Sequence, residues 1–134
     1  MKILRSKENL SRIVTHVPLQ ELTQLYPVVS FDQYNAILQD IQDNGMQFPI
    51  VIWETVGKYW RKWVRFTDPE LINYPPETLG DFQPVLLVMC GNNRFQAAKH
   101  LNYDAIDCVL CTEREEINKL CGIMREHWRA QQAN

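Results

Sequence analysis

Apolar positions along the chain change period several times, and each change marks an element. Ile13 to Leu19 mixes β-branched residues in rough alternation and predicts a strand that turns at Pro18. Ser30 with Gln33 forms a capping box, and Phe31, Tyr34, Ile37, Leu38 and Ile41 recur at helical spacing. Asp43-Asn44-Gly45 closes that helix, because glycine takes a positive φ at little cost. Pro49 to Trp53 predicts a short buried strand. Val85 to Met89 predicts another, stopping at Cys90-Gly91. From Asn92, a suitable N-cap, a helix should run through Leu101 with Phe95, Ala98 and Leu101 inward. Ala105 to Leu110 reads as a strand. Thr112 and Glu115 then form a capping box for a long helix whose stripe is Ile117, Leu120, Cys121, Met124 and Trp128.

Between these elements, residues 54–84 break the pattern. Four of the seven prolines lie there (Pro69, Pro75, Pro76, Pro84), which predicts an irregular insertion holding a hairpin or short helix. Repeats and low-complexity tracts are absent. The order strand, helix, strand, insertion, strand, helix, strand, helix predicts an α+β fold: one domain over 1–134, a single small mixed sheet with flanking helices.

Composition changes this picture little. The chain has 134 residues, 46% hydrophobic and 22% charged, which suits a globular domain with a real core. A net charge of −2 excludes a uniformly basic nucleic-acid coat and leaves a local basic patch open. No apolar run has the ~20 residues of a membrane span, so no membrane partner is expected. Cys90, Cys108, Cys111 and Cys121 are too few and too uneven for a secreted disulfide framework, and a cytoplasmic location is the default.

Three places carry candidate chemistry. In the first, a buried strand ends at Gly91-Asn92-Asn93-Arg94 and a helix begins. The glycine admits close approach, the first-turn N–H groups point outward with the positive end of the helix dipole, and Arg94 brings a planar fork suited to phosphate oxygens. A plain capped helix with Arg94 in a surface salt bridge is the competing reading. The second place is Lys58-Tyr59-Trp60-Arg61-Lys62-Trp63-Val64-Arg65-Phe66. Its cations interleave with aromatics, as contact with single-stranded nucleic acid or DNA requires. Lys58, Trp60, Arg61, Lys62, Trp63 and Arg65 could equally meet a protein partner, or the aromatics could be core. The third is a set of carboxylates, Asp40, Asp43 and Glu54, weak catalytic candidates that could share a Mg²⁺ with bound phosphates. Cys108 and Cys111 sit three apart in a strand and should face opposite ways, so no metal site is assigned to them. His16, His100 and His127 have no partner at a triad-like spacing.

Val17-Pro18-Leu19-Gln20-Glu21-Leu22, the helix from Ser30 to Ile41, Asn44-Gly45 with Pro49-Ile50-Val51-Ile52, and Gly91-Asn92-Asn93-Arg94-Phe95-Gln96-Ala97-Ala98 follow one another in an order that resembles the ParB/sulfiredoxin-like superfamily. The strand Ala105-Ile106-Asp107-Cys108-Val109 fits the same order. The resemblance covers most of the chain outside 54–84 and implies a nucleotide-phosphate pocket at the Gly-x-x-Arg loop, taking ATP or CTP, with Mg²⁺ a possible companion. Members include CTP-dependent partitioning proteins, ATP-dependent sulfinic-acid reductases, free-serine kinases and ParB-like nucleases, and small single-domain members are common in phage. Asn92 stands where sulfiredoxins carry the reactive cysteine, and an amide cannot attack a phosphorylated sulfinate. Met124-Arg125 replaces the Glu-Asn pair of partitioning proteins, and Gln33, Ala36 and Asp40 replace the usual first-helix residues. The expectation is therefore a nucleotide- or phosphate-binding ParB-like domain in a DNA-related process, without sulfiredoxin activity. A small Mg²⁺-dependent phosphotransferase or nuclease, and a non-enzymatic adaptor using the aromatic insertion, are the alternatives.

Overall fold

The structure is a computed structural model that describes residues 2–5, 11–24, 30–63 and 79–132, with side chains placed over 14–24, 30–62 and 79–123. Its centre is one six-stranded mixed sheet. The strands are β1 (Lys2–Arg5), β2 (Ser11–Pro18), β3 (Leu22–Gln24), β4 (Ile50–Val56), β5 (Pro84–Cys90) and β6 (Ala105–Cys111), in the spatial order β1-β2-β6-β4-β5-β3. β4 runs parallel to β6 and antiparallel to β5, while β3 lies parallel to β5. The helices are α1 (Phe31–Asn44), α2 (Gly57–Trp63), α3 (Asn92–His100) and α4 (Arg114–Gln132). This is the α+β fold with a single mixed sheet that the sequence pattern predicts.

Both sheet faces are covered, and the pleat sorts their residues. Val51, Trp53, Val85, Leu87, Val109 and Cys111 point to one face and pack with Trp60 of α2 and Ile117, Leu120 and Cys121 of α4. Ile50, Ile52, Val88, Ile106 and Cys108 point to the other, against Phe95 and Ala98 of α3. α1 forms an outer layer, with Ile37 and Ile41 packed on Ala97 of α3. Ser30 caps α1 by accepting a 3.3 Å hydrogen bond from the Gln33 N–H, and Gly45 ends it at φ +74°. Among the described residues, no helix is long and apolar enough to cross a membrane.

Four local expectations are corrected. The insertion begins a little later than 54, because β4 continues through Val56; α2, to Trp63, is the short helix expected inside it, and 64–78 lies outside the described residues. Phe31 leaves the predicted stripe of α1 and is 81% exposed. Asn92 is not the N-cap of α3. Gly91 takes that place at φ +104°, and the Asn92 amide donates instead to the Val88 carbonyl at 3.1 Å. α4 starts two residues after Thr112, whose carbonyl accepts the Trp53 indole N–H at 3.2 Å; Met124 and Trp128 have side chains outside the described set. β1 and β3 escape the pattern because strands of four and three residues hold too few positions to show a period of two.

Candidate functional site

The C-terminal end of β5 meets the start of β4 in the sheet, with Cys90 opposite Val51. Gly91 follows in the left-handed region, and this reversal launches α3 from the strand end. A Cβ at Gly91 would stand 2.4 Å from Ile50 Cγ2, so the loop backbone lies directly on β4. The first intrahelical bond is donated by Phe95 to the Gly91 carbonyl at 2.8 Å. The amides of Asn92, Asn93 and Arg94 therefore precede the helical ladder and carry the positive end of the dipole.

Arg94 is held differently from the exposed fork that the sequence suggests. Its Nη1 donates to the carbonyls of Phe48 (2.8 Å) and Pro49 (3.2 Å), and Nη2 lies beneath Gly91. The side chain thus pins the loop between α1 and β4 to the start of α3. Burial lowers its pKa, and the titratable groups that act on it are the thiols of Cys90, Cys121 and Cys108. No carboxylate pairs with it among the described residues. The site therefore combines a helix start with an inward guanidinium that has no anionic partner. Cys108, behind it, is kept neutral: burial pushes its thiol up to about 12, Asp107 adds to the rise and Arg94 opposes it.

The basic-aromatic segment is divided by the fold. Trp60 is fully buried in the core under α2, so it offers no stacking face. Arg61 pairs with Asp81 and donates to the Leu79 carbonyl at 2.9 Å, which fastens α2 to the turn before β5. Lys58 and Lys62 remain exposed, and Lys62 sits over the Tyr59 ring at 5.5 Å. The Trp63 side chain and Arg65 lie outside the described residues. The idea that all six residues form one nucleic-acid surface is corrected for Trp60 and Arg61.

The carboxylate candidates are scattered. Asp40 and Asp43 occupy the last turns of α1, where they accept from Asn44 (2.8 Å) and Gln39 (3.0 Å) of the same helix. Glu54 pairs with Leu86 in register, four strand positions before the Cys90 end. It lines a separate groove with Trp53, Tyr59 and the first turn of α4. Cys108 and Cys111 belong to the clusters on opposite faces of the sheet, as their spacing implies.

Tertiary structure also assembles what no spacing shows. His16 and Asp107, 91 residues apart, become cross-strand partners of β2 and β6, with His16 Nδ1 3.0 Å from Asp107 Oδ1. The Phe48 and Pro49 carbonyls that hold Arg94 are backbone groups, invisible to any side-chain motif. In the comparisons with known proteins, no family model and no curated sequence matches the chain.

Proposed function

We propose that the chain binds the phosphates of a nucleotide, ATP or CTP, at the start of α3, and that it serves as a ParB-like binding domain in a DNA-related process. The observation that supports this reading is the Arg94 guanidinium, which lies beside Gly91 at the start of α3 and has no carboxylate partner among the described residues. A half-buried cation without an acid, beside the positive end of a helix, is stabilised by an anion. Gly91 contributes by turning in the left-handed region directly on β4, which sets the loop at the helix start. Arg94 is a positioning residue here: it sets the loop and supplies charge, while backbone N–H groups make the direct contacts. Binding is favoured over hydrolysis, because none of Asp40, Asp43 and Glu54 is tied to the Gly91 loop.

A thermal-shift panel of ATP, CTP, GTP and ADP, with and without Mg²⁺, tests the proposal. A ligand at about 100 times its Kd adds about 2.7 kcal/mol of stability. Asn92→Asp, which sets a carboxylate at the first helical position and gives up the bond to the Val88 carbonyl, should abolish the shift, and a melt of the ligand-free variant reads the cost of that bond separately. If no nucleotide raises the melting temperature, or if Asn92→Asp keeps the full response, the proposal is wrong.

A further inference from the structure

Asn44 and Gly45 form the single Asn-Gly pair of the chain, and they sit where α1 ends. Such a pair has a chemistry of its own. The Gly45 nitrogen can give up its proton to hydroxide and attack Asn44 Cγ. A five-membered succinimide closes as the Cγ–Nδ2 bond breaks and ammonia leaves. Water then opens the ring at either carbonyl, leaving aspartate or isoaspartate at 44, so one water is consumed for each ammonia released. Glycine in second place leaves the attacking nitrogen unhindered. Nothing lies within 4 Å of where a Gly45 Cβ would stand, and Asn44 is exposed, so neither bulk nor exclusion of water blocks the reaction here.

Hydrogen bonding does block it. The Gly45 N–H donates to the Ile41 carbonyl at 2.9 Å, which holds the proton that must leave. The Asn44 side-chain amide donates to Asp40 Oδ1 at 2.8 Å, one turn back along α1. That is the direction helical side chains take, away from the following residue. Ring closure therefore requires Asn44 to give up both its helical ψ and this bond, while Gly45 gives up its own. Ile41 is buried and packed with Ala97 of α3, so the last turn is tied to the layer beneath it. The position also matters downstream. The connection 45–49 that begins here carries the Phe48 and Pro49 carbonyls that hold Arg94, and an isoaspartyl link adds one methylene to the main chain at its start.

We propose that Asn44 is a deamidation site gated by the last turn of α1, and that its isoaspartyl product loosens the connection that anchors Arg94.

Ageing the folded chain beside a capped synthetic peptide of residues 41–48, at one mildly alkaline pH, tests the gate. Peptide mapping by mass spectrometry follows the exchange of the Asn44 amide for a carboxyl. The chain should react at least about fivefold more slowly than the peptide, since the opening of a hydrogen-bonded turn must come first. Gln42→Gly, at an exposed position in the same turn, leaves the reacting pair unchanged and lowers helix propensity, so it should speed the chain about two- to fourfold. Hydrogen exchange of the Gly45 amide should quicken by the same factor, because both processes await one opening. A chain that reacts as fast as the peptide overturns the gate. So does a Gln42→Gly variant that exchanges the Gly45 amide faster yet deamidates no faster than the parent. The isoaspartyl chain, separated by chromatography, should melt below the Asn44→Asp variant, which carries the same charge on a normal backbone. Equal melting overturns the link to the Arg94 anchor.

Discussion

Gly91→Ala tests how the candidate phosphate loop is built. The new Cβ would stand 2.4 Å from Ile50 Cγ2 and 2.9 Å from Ile50 Cβ, on a backbone at φ +104°. A left-handed conformation costs an alanine about 1–2 kcal/mol, and forcing a methyl into a packed contact adds about 1–3 kcal/mol. The sum, about 2–5 kcal/mol, is a large part of the stability of a domain this size. Urea unfolding measures it directly, because the midpoint falls while the slope stays constant. Ile50→Ala, at a fully buried position, should cost about 2–5 kcal/mol by itself. Removing Cγ2 also makes room for the new methyl, so the double variant should be less destabilised than the sum of the singles, by at least about 1 kcal/mol. Additivity within about 0.5 kcal/mol would show that the loop does not rest on Ile50. A cost below about 1 kcal/mol for Gly91→Ala alone would refute the whole argument.

Three further outcomes follow from the same structure. Arg94→Ala leaves the carbonyls of Phe48 and Pro49 without their donor and should cost roughly 1.5–3 kcal/mol of folding stability as well as any phosphate affinity, which calorimetry and a melt of the same variant read separately. Trp60→Ala should cost about 3–5 kcal/mol, whereas Trp60→Phe should stay within about 1.5 kcal/mol of the parent, since it removes a buried indole N–H that has no acceptor among the described residues; equal losses in chemical denaturation would contradict this. Because the Cys108 thiol is raised to about 12 in the fold, the unfolded chain loses that proton first: stability is fully present below the ordinary thiol range and falls between it and about pH 12, by at most about 1.4 kcal/mol per unit, and Cys108→Ala should flatten that part of a pH–stability profile.

The pattern of the chain determined most of the secondary structure. Ser30, Gln33 and Gly45 delimit α1 through bonds that lie within a few residues, and the apolar runs around Ile50, Val85 and Ile106 could only be buried strands. The loop Gly91 to Arg94 was visible for the same reason: a strand, a glycine and a helix start are consecutive in sequence. What those residues do was decided elsewhere. Arg94 turns inward because the carbonyls of Phe48 and Pro49, 46 and 45 residues earlier, lie within its reach once β4 has paired with β5. Trp60 looks like half of a basic-aromatic surface until α2 lays it on Trp53, Val85 and Leu87, where burying an indole outweighs any exposed role. The His16–Asp107 pair and the groove at Glu54 have no local signature, because each depends on strand order and register. Hydrogen bonds between neighbours in sequence can be read from residue types alone. Contacts that close only after dozens of residues have been brought together depend on packing that no short window contains.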